Sequence, residues 1–547
     1  MRTKVKFDTV SRVFKKREKE IIIMKRKLSL VLAAAMTLTI ALAGCTPAAS
    51  DPTDSPDNTQ PGGETTVRTD MNAQLFSECT SLDPQVNPSS YDLAVMYQIY
   101  DSLFEPVDGD YNNLKGSLCE SYEVDDAQMN YTLHIRQGVL WHNGDTLTAD
   151  DVVFSINRMR ESAVTMARIS FITDVQKVDD YTVTIACAYP SPRLPALFST
   201  ASMSIVNKKL VEQYGDNAIE TVVGTGAYKL ESREPGGNIV LTSFEEGWRG
   251  SPQIKTITYK LITDTNAARI AFQNGEIDTF YASAATDLEL FSDETKYTTT
   301  AYTNSTQDHL AFNVSRTDSW VSNKTFRQAV AYAIDREALA EITSDGLYKV
   351  ANSVVAPGNA AYSDTPFPYE YNPEKAKELL ADCGYDGAEV GLLYTSSYPI
   401  SNTWGTTVEA YLRAVGINVK MEGQEYASVV QRVTDRDYDM TMFEYSVSFP
   451  DPLSSFYAMF RSDGYYNVWQ YITDEMDQRI IELYGEADDN ARNQAMMEID
   501  EWAKEEVLYI PSYQQGGYYF RPVELTSTTV PEPMFGWTRI CYSSWEA

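Results

Sequence analysis

Two periodicities take turns along the chain from about residue 67. Tyr131-Thr-Leu-His-Ile-Arg136 and Tyr181-Thr-Val-Thr-Ile185 alternate apolar with polar positions, the period-two signature of half-buried strands, and Ile257, Tyr259 and Leu261 give a third. Between such segments the period changes to that of a helix. Thr148 caps a predicted helix with Asp151 three residues on, ahead of Val152, Ile156 and Met159 on one face. Phe326, Ala329, Val330, Ala333 and Ile334 have the i, i+3, i+4, i+7, i+8 spacing of a core-facing helix. Asn372-Pro373 opens another, with Ala376, Leu379, Leu380 and Cys383 inward and Gly384 past its end. The pattern predicts a mixed α/β fold, and 547 residues exceed what one hydrophobic core can serve, so two or more lobes are expected.

The N-terminus breaks this pattern. Lys25-Arg26-Lys27 precedes an apolar run from Leu28 to Ala43, followed by Gly44-Cys45. A basic head, a short apolar stretch and small residues before the cut form a secretory signal over residues 1–44, with Met24 as an alternative start. The run falls short of the roughly twenty residues of a membrane span, the competing reading. Leu42-Ala43-Gly44-Cys45 resembles a bacterial lipobox, which implies that Cys45 carries the lipid. Thr46 to about Val67 is rich in Pro, Asp, Thr, Ser and Gly and lacks apolar residues to pack, so 45–66 reads as a lipidated cysteine on a disordered tether. These features predict an exported protein held at the outer face of the cell membrane.

Charge sharpens that reading. Residues 1–44 carry +8 and the remainder −40, the two making up the net −32, and a basic head on an acidic body is the pattern of an export signal on its cargo. A pI near 4.5 excludes nucleic acid as a partner, because phosphate contacts need clustered Lys and Arg. Beyond Cys45, cysteines at 79, 119, 187, 383 and 541 form no CxxC pair. They read as small apolar side chains, with one or two bridges as the alternative. His134, His142 and His309 are scattered, so neither a metal centre nor any cofactor is expected. No G-x-S-x-G elbow, P-loop, HExxH or dinucleotide fingerprint occurs. Gly224-Thr225-Gly226 reads as a tight turn, because a lone GxG is weak grounds for phosphate binding. A secreted glycosidase is kept as an alternative, since its two carboxylates need no local motif. Tyr (36), Trp (8) and Phe (20) together suit a cleft that grips polar ligands while excluding water.

Several segments, taken in order, resemble the family 5 bacterial extracellular solute-binding proteins, the peptide- and nickel-binding group of ABC importers. They are Ser81-Leu82-Asp83-Pro84, Ile99-Tyr100-Asp101-Ser102-Leu103-Phe104-Glu105, and Tyr131–Asp151 with His142-Asn143-Gly144 and Leu147-Thr148-Ala149-Asp150-Asp151. Further along come Val223-Gly224-Thr225-Gly226-Ala227-Tyr228, Phe272-Gln273-Asn274-Gly275-Glu276-Ile277-Asp278, Arg327–Arg336 and Tyr509-Ile510-Pro511. The resemblance implies a periplasmic-binding-protein-like clamp of the class II or cluster C type, two main lobes joined by a hinge plus an inserted extra lobe. Lobe I would take 67–90, 205–305 and 515–547, the inserted lobe II 91–204, and lobe III 306–514. It also implies a monomer that captures peptides or a related small solute and hands them to permease and ATPase subunits, with no bond broken.

Peptide binders of this family hold the ligand ammonium with an aspartate on a lobe III strand, because a buried ammonium needs a paired carboxylate. Here the matching segment is Phe443-Glu444-Tyr445-Ser446-Val447-Ser448-Phe449-Pro450-Asp451-Pro452. Tyr445 takes the aromatic position and Ser448 the aspartate position, leaving Glu444 or Asp451 to compensate, although Asp451 also suits the turn before Pro452. Tyr394-Thr-Ser-Ser-Tyr398 lacks the arginine that dipeptide binders aim at the ligand carboxylate. Tyr426 keeps an aromatic wall, and Glu78-Cys79-Thr80 is similar to the strand that pairs with the peptide backbone. The expected ligand is therefore a peptide or, with both charge clamps gone, an oligosaccharide or other solute with uncharged ends.

Overall fold

The alternation read from the sequence becomes five small sheets, described here in a computed structural model that covers residues 67–86, 90–162, 165–216, 218–282, 285–446, 450–464, 466–527 and 539–546. The signal, Cys45, the tether and Ser448 lie outside these residues. Residues 65–547 form one compact unit.

The first sheet contains β1 (Asp70–Leu75), β8 (Tyr228–Arg233), β9 (Ile239–Ser243) and β10 (Thr256–Leu261), in the order β1-β10-β9-β8. β1 runs parallel to β10, from Asp70 opposite Thr256 to Leu75 opposite Leu261; the other pairs are antiparallel. Met71, Ala73, Leu75, Leu241, Ile257 and Tyr259 point into one core, which Ile540 and Trp545 complete from the far end of the chain. Trp545 stands on β19 (Ser543–Trp545), paired with β18 (Leu525–Ser527), and its indole N–H donates to Asp70 O at 2.8 Å.

A second sheet, ordered β4-β5-β7-β6, joins β4 (Cys119–Val124), β5 (Asn130–Ile135), β6 (Ile172–Asp179) and β7 (Thr182–Cys187), all antiparallel, beside the hairpin β2 (Phe104–Val107) and β3 (Asp110–Gly116). The predicted helix Ala149–Glu161 covers it with Val152, Ile156 and Met159, fully buried. Its N-terminus is fixed as expected, the Asp151 carboxylate accepting from Thr148 N–H at 3.1 Å.

The largest sheet holds β11 (Phe280–Tyr281), β12 (Tyr297–Phe312), β13 (Lys349–Val350), β14 (Val390–Thr395), β15 (Val419–Gln424), β16 (Met440–Ser446) and β17 (Tyr509–Pro522), in the order β11-β17-β12-β16-β14-β15 with β13 on β17. Helices Lys324–Ala333 and Pro373–Cys383 pack on it as predicted, the second stopped by Gly384 at φ 76°. β12 and β17 are long enough to belong to two cores at once. Phe520 of β17 lies with Phe272, Phe280 and Phe291, whereas Leu310, Phe312 and Ile510 lie with Trp404 and Val408. Between those ends the register slips, from Thr303 opposite Gly516 to Gln307 opposite Gln514. A Cβ on Gly516 would stand 2.6 Å from Tyr302 O, so the strands cross at a point where only glycine fits.

The motifs at Ile99–Glu105, His142–Gly144 and Val223–Tyr228 converge on a seam between the first and second sheets. Asp101 is fully buried and accepts from Thr225 Oγ1 (3.0 Å), Trp248 Nε1 (3.0 Å) and Arg249 Nε (2.9 Å), with Arg539 Nη1 at 3.3 Å. Burial works against its charge, and the two guanidiniums outweigh burial and hold the carboxyl below its ordinary range. Glu105 shares Arg249 at 2.6 Å and is held down to about 2 by the same cations against the opposing effect of burial. Gly224 and Gly226 press against the Ile99 carbonyl, where a Cβ would meet it at 1.9 and 2.7 Å, so the GxG serves a close backbone approach. His142 locks that turn: Gly224 N–H donates to Nδ1 (3.2 Å), and Nε2 lies 3.0 Å from Gly226 O. The described cysteines are unbridged, and Cys79, Cys119 and Cys187 are buried.

Replacing Asp101 by Asn leaves two buried arginines short of a counter-charge and should cost about 3–5 kcal/mol in urea denaturation. Burial pushes His142 down to about 4, so the unfolded chain takes up its proton first as pH falls. Its contribution is complete above about pH 6.5 and is lost between there and about pH 4. The difference in unfolding free energy between the wild type and H142Q, followed over that window, should shrink by about 3 kcal/mol toward the acid end.

Candidate functional site

The segment singled out for ligand chemistry ends on β16, which places Glu444 on the face that Met440 and Met442 share with the helices, and Phe443 and Tyr445 on the other. Glu444 lies directly opposite Asp308 of β12, and Asp308 directly opposite Tyr513 of β17. Two carboxylates and a phenol therefore stand side by side on one face of three adjacent strands. Asp308 is wholly buried, its Oδ2 accepting from Gln515 Nε2 at 2.9 Å and its Oδ1 lacking a protein partner. Burial, and then the Glu444 charge, push its carboxyl well above the ordinary range. Glu444 has an exposed edge but is hemmed in enough for burial to raise its carboxyl too, with the Gln515 amide working the other way. The Tyr513 hydroxyl is buried without a partner, and its ring packs 5.3 Å from that of Tyr348.

Three tyrosines lie on the open side of Glu444. Tyr398, just before the helix Pro399–Ala414, and Tyr426, first residue of the helix Tyr426–Thr434, have ring centroids 6.1 Å apart and are 49% and 57% exposed. Tyr426 interacts electrostatically with Tyr466, Glu444 and Tyr398, and Tyr466 packs edge-on to Tyr445 at 4.9 Å. Tyr445 stacks on Phe443 (5.6 Å, 10°) and donates to Ser455 Oγ at 3.2 Å. Tyr398 and Tyr426 thus expose about half of their surface, and Tyr466 exposes 39%.

The other predicted residues are engaged locally. Asp451 accepts from Leu453 N–H at 3.1 Å, the turn role foreseen for it, with buried Arg492 at 3.8 Å. Glu78 accepts from Gly236 N–H at 2.8 Å. Cys79 is buried, its thiol aimed at Ser81 O (3.2 Å) and pushed up by burial, while its carbonyl accepts from Arg233. Thr80 is tied through N–H and hydroxyl to the Asp92 carboxylate at 3.0 and 2.9 Å. The segment 76–80 thus follows β1, with a bend at Ser77, outside the described sheets.

Two neighbours of this wall escaped the sequence reading. Arg168, on the short helix Met166–Ile169, interacts with Tyr445 and donates to Ser202 Oγ at 3.3 Å; burial lowers its guanidinium, and among the described residues it has no carboxylate partner. Arg193 bridges from the second sheet to Pro450 O (3.3 Å) and Asp489 (3.4 Å), beside Tyr189 set edge-on to Tyr484 at 4.7 Å. A cavity of about 640 Å³ opens next to Arg193, bounded by Tyr111, Lys115, Tyr122 and Asp489, and none of the predicted ligand residues lines it. Asp308 carried one sequence signal, the polar run Gln307-Asp308-His309 ahead of the apolar Leu310-Ala311-Phe312. Arg168 carried none, because a lone arginine on a short helix has no periodicity to betray it. No three metal-ligating side chains converge among the described residues.

Residues 113–467 match the profile described as bacterial extracellular solute-binding proteins, family 5 Middle. The chain is similar to the dipeptide-binding protein of Escherichia coli, 24% identical over 467 residues that cover 76% of this chain and 84% of that one. It is also similar to the oligopeptide-binding protein AppA of Bacillus subtilis, 28% identical over 479 residues, covering 82% and 86%. In fold it superposes on the ABC transporter substrate-binding protein CtaP of Listeria monocytogenes with a TM-score of 0.76 at 22% identity, over 88% of this chain and all of the other. The mixed α/β architecture is accordingly that of the clamp-like binding proteins, and the chain belongs to the bacterial extracellular solute-binding proteins, family 5.

Proposed function

We propose that the protein captures a peptide outside the cell membrane and delivers it to the permease and ATPase subunits of an ABC importer, as a monomer anchored through lipidated Cys45 and without breaking a bond. The observation that carries this reading is the exposed wall of Tyr398, Tyr426 and Tyr466 beside Glu444. Its rings have no core of their own, and they flank the strands that run from one core to another. The relatives named for dipeptides and oligopeptides support peptide as the ligand class.

In this reading lobe I takes 67–90, 205–305 and 515–547, lobe II takes 91–204 and lobe III takes 306–514. The crossing of β12 and β17 at Gly516 is the hinge, supported by the register slip there. Ligand closes the lobes because it binds the closed form better, and the importer recognises that form. Glu78-Cys79-Thr80 offers backbone to the peptide, Tyr398, Tyr426 and Tyr445 offer rings, and Glu444 offers charge, with Ser448 and Asp451 following a few residues later in sequence. Exposed tyrosines also stack on sugars, so an oligosaccharide is the second reading.

Peptides screened by thermal shift against the chain lacking residues 1–45 should raise Tm as ligand rises, approaching about 2.7 kcal/mol of stabilisation at a hundredfold excess over Kd. Y398A and Y426A should each weaken binding about tenfold. A shift with oligosaccharides alone would move the assignment to sugars, and recovery of cleaved ligand would make the protein a hydrolase. Changing Cys45 to Ser should release the protein from the membrane fraction; retention of C45S there would overturn the lipid anchor.

A further inference from the structure

The acidic pair at the crossing strands has no cation. Asp308 and Glu444 face each other on neighbouring strands, and the Gln515 amide is the group set between them, donating to Asp308 at 2.9 Å and bonding to Glu444 as well. One neutral amide offers two N–H donors to two carboxyl groups, which leaves Asp308 Oδ1 bare in a site with no solvent exposure. Burial and the neighbouring charge make such a pair hold on to a proton, and a cation brought to it supplies the charge that lets it ionise. No Lys or Arg is ion-paired with either acid among the described residues, whereas Asp101 at the seam has two arginines.

A second, independent observation lies beside the pair. The Tyr513 hydroxyl, with its residue fully buried, also lacks a partner and interacts with both carboxyl groups. The ring of Tyr348 packs against that of Tyr513 and interacts with the same two acids. Tyrosine rings beside paired carboxyl groups are the side-chain types that hold an ammonium or guanidinium group, through charge-assisted hydrogen bonds and ring quadrupoles. Access is provided by the exposed edge of Glu444, which opens toward Tyr426.

We propose that Asp308 and Glu444, with the Tyr348 and Tyr513 rings, bind a cationic group of the ligand, an ammonium or a guanidinium, so that the protein selects positively charged ligands. This deepens the peptide reading and rests on it for the ligand's identity. The charge that the sequence comparison sought near position 448 is supplied from β12 and from the middle of β16.

The test is calorimetric titration of the purified full chain in detergent with four probes: a tripeptide with a free N-terminus and norleucine at its centre, the N-acetylated form with lysine at its centre, the N-acetylated norleucine form, and arginine amide. Wild type should prefer one of the two cationic tripeptides over the uncharged one by at least about tenfold, and which of the two wins tells whether the N-terminus or the side chain supplies the charge. E444Q, a change at an exposed edge, and D308N should each remove most of that preference. Equal affinity of wild type for charged and uncharged tripeptides would overturn the proposal, and so would a preference unchanged in E444Q. If no tripeptide binds, the peptide reading fails on its own. Arginine amide then decides the acidic pair: binding lost in E444Q upholds it, and no binding overturns it.

Discussion

A single buried carboxylate ties together parts of this chain that are hundreds of residues apart. Asp101 sits where the first sheet meets the second, and the groups that satisfy it come from the Gly224–Gly226 turn, from Trp248 and Arg249, and from Arg539 near the C-terminus. Burying an ion is costly, and the cost is met only when every one of these partners is present. The arrangement is therefore all or nothing, which gives it value as a fastener: a misplaced turn or a missing C-terminal segment leaves charge in an apolar seam.

The contrast between the two buried acid sites carries the functional argument. At the seam, carboxylates and guanidiniums balance within the protein, and the pull of Arg249 and Arg539 on Asp101 exceeds the penalty of burial. At the crossing strands, burial and like charge act on Asp308 in the same direction, with one amide opposing them. A completed network is a structural device. The incomplete one, beside exposed rings, is where we propose that a cationic group of the ligand binds.

How much of this could be read in the sequence follows from how local each cause is. The strand at Tyr131, the helix capped by Thr148 and Asp151 and the helix stopped by Gly384 depend on neighbours three or four residues away, and they are where the pattern put them. The close backbone approach at Gly224 and Gly226 was legible as a glycine pair, though not that its partner is the Ile99 carbonyl. The family motifs that meet at the seam around Asp101 and His142 were legible because they are structural. The acid pair was only half legible. Glu444 was noticed for its place in a motif, but Asp308 is 136 positions away and meets it solely through strand pairing, which no local pattern encodes. Arg168 reaches Tyr445 for reasons equally remote in sequence.

The way Trp545 closes on Asp70 has a consequence for how the protein comes into being. The two residues are 475 positions apart, and β1 has as its sheet partner a strand nearly two hundred residues downstream. The β12–β17 pair is similarly deferred, with Tyr297 waiting for Pro522. Contacts of such long range must wait for loops to close, and they make folding slow. During synthesis, the first sheet therefore waits for Leu525, Ile540 and Trp545 to complete its core, and Asp101 waits for Arg539 to complete its counter-charge. The same discontinuity that builds the clamp thus postpones it until the whole chain is available.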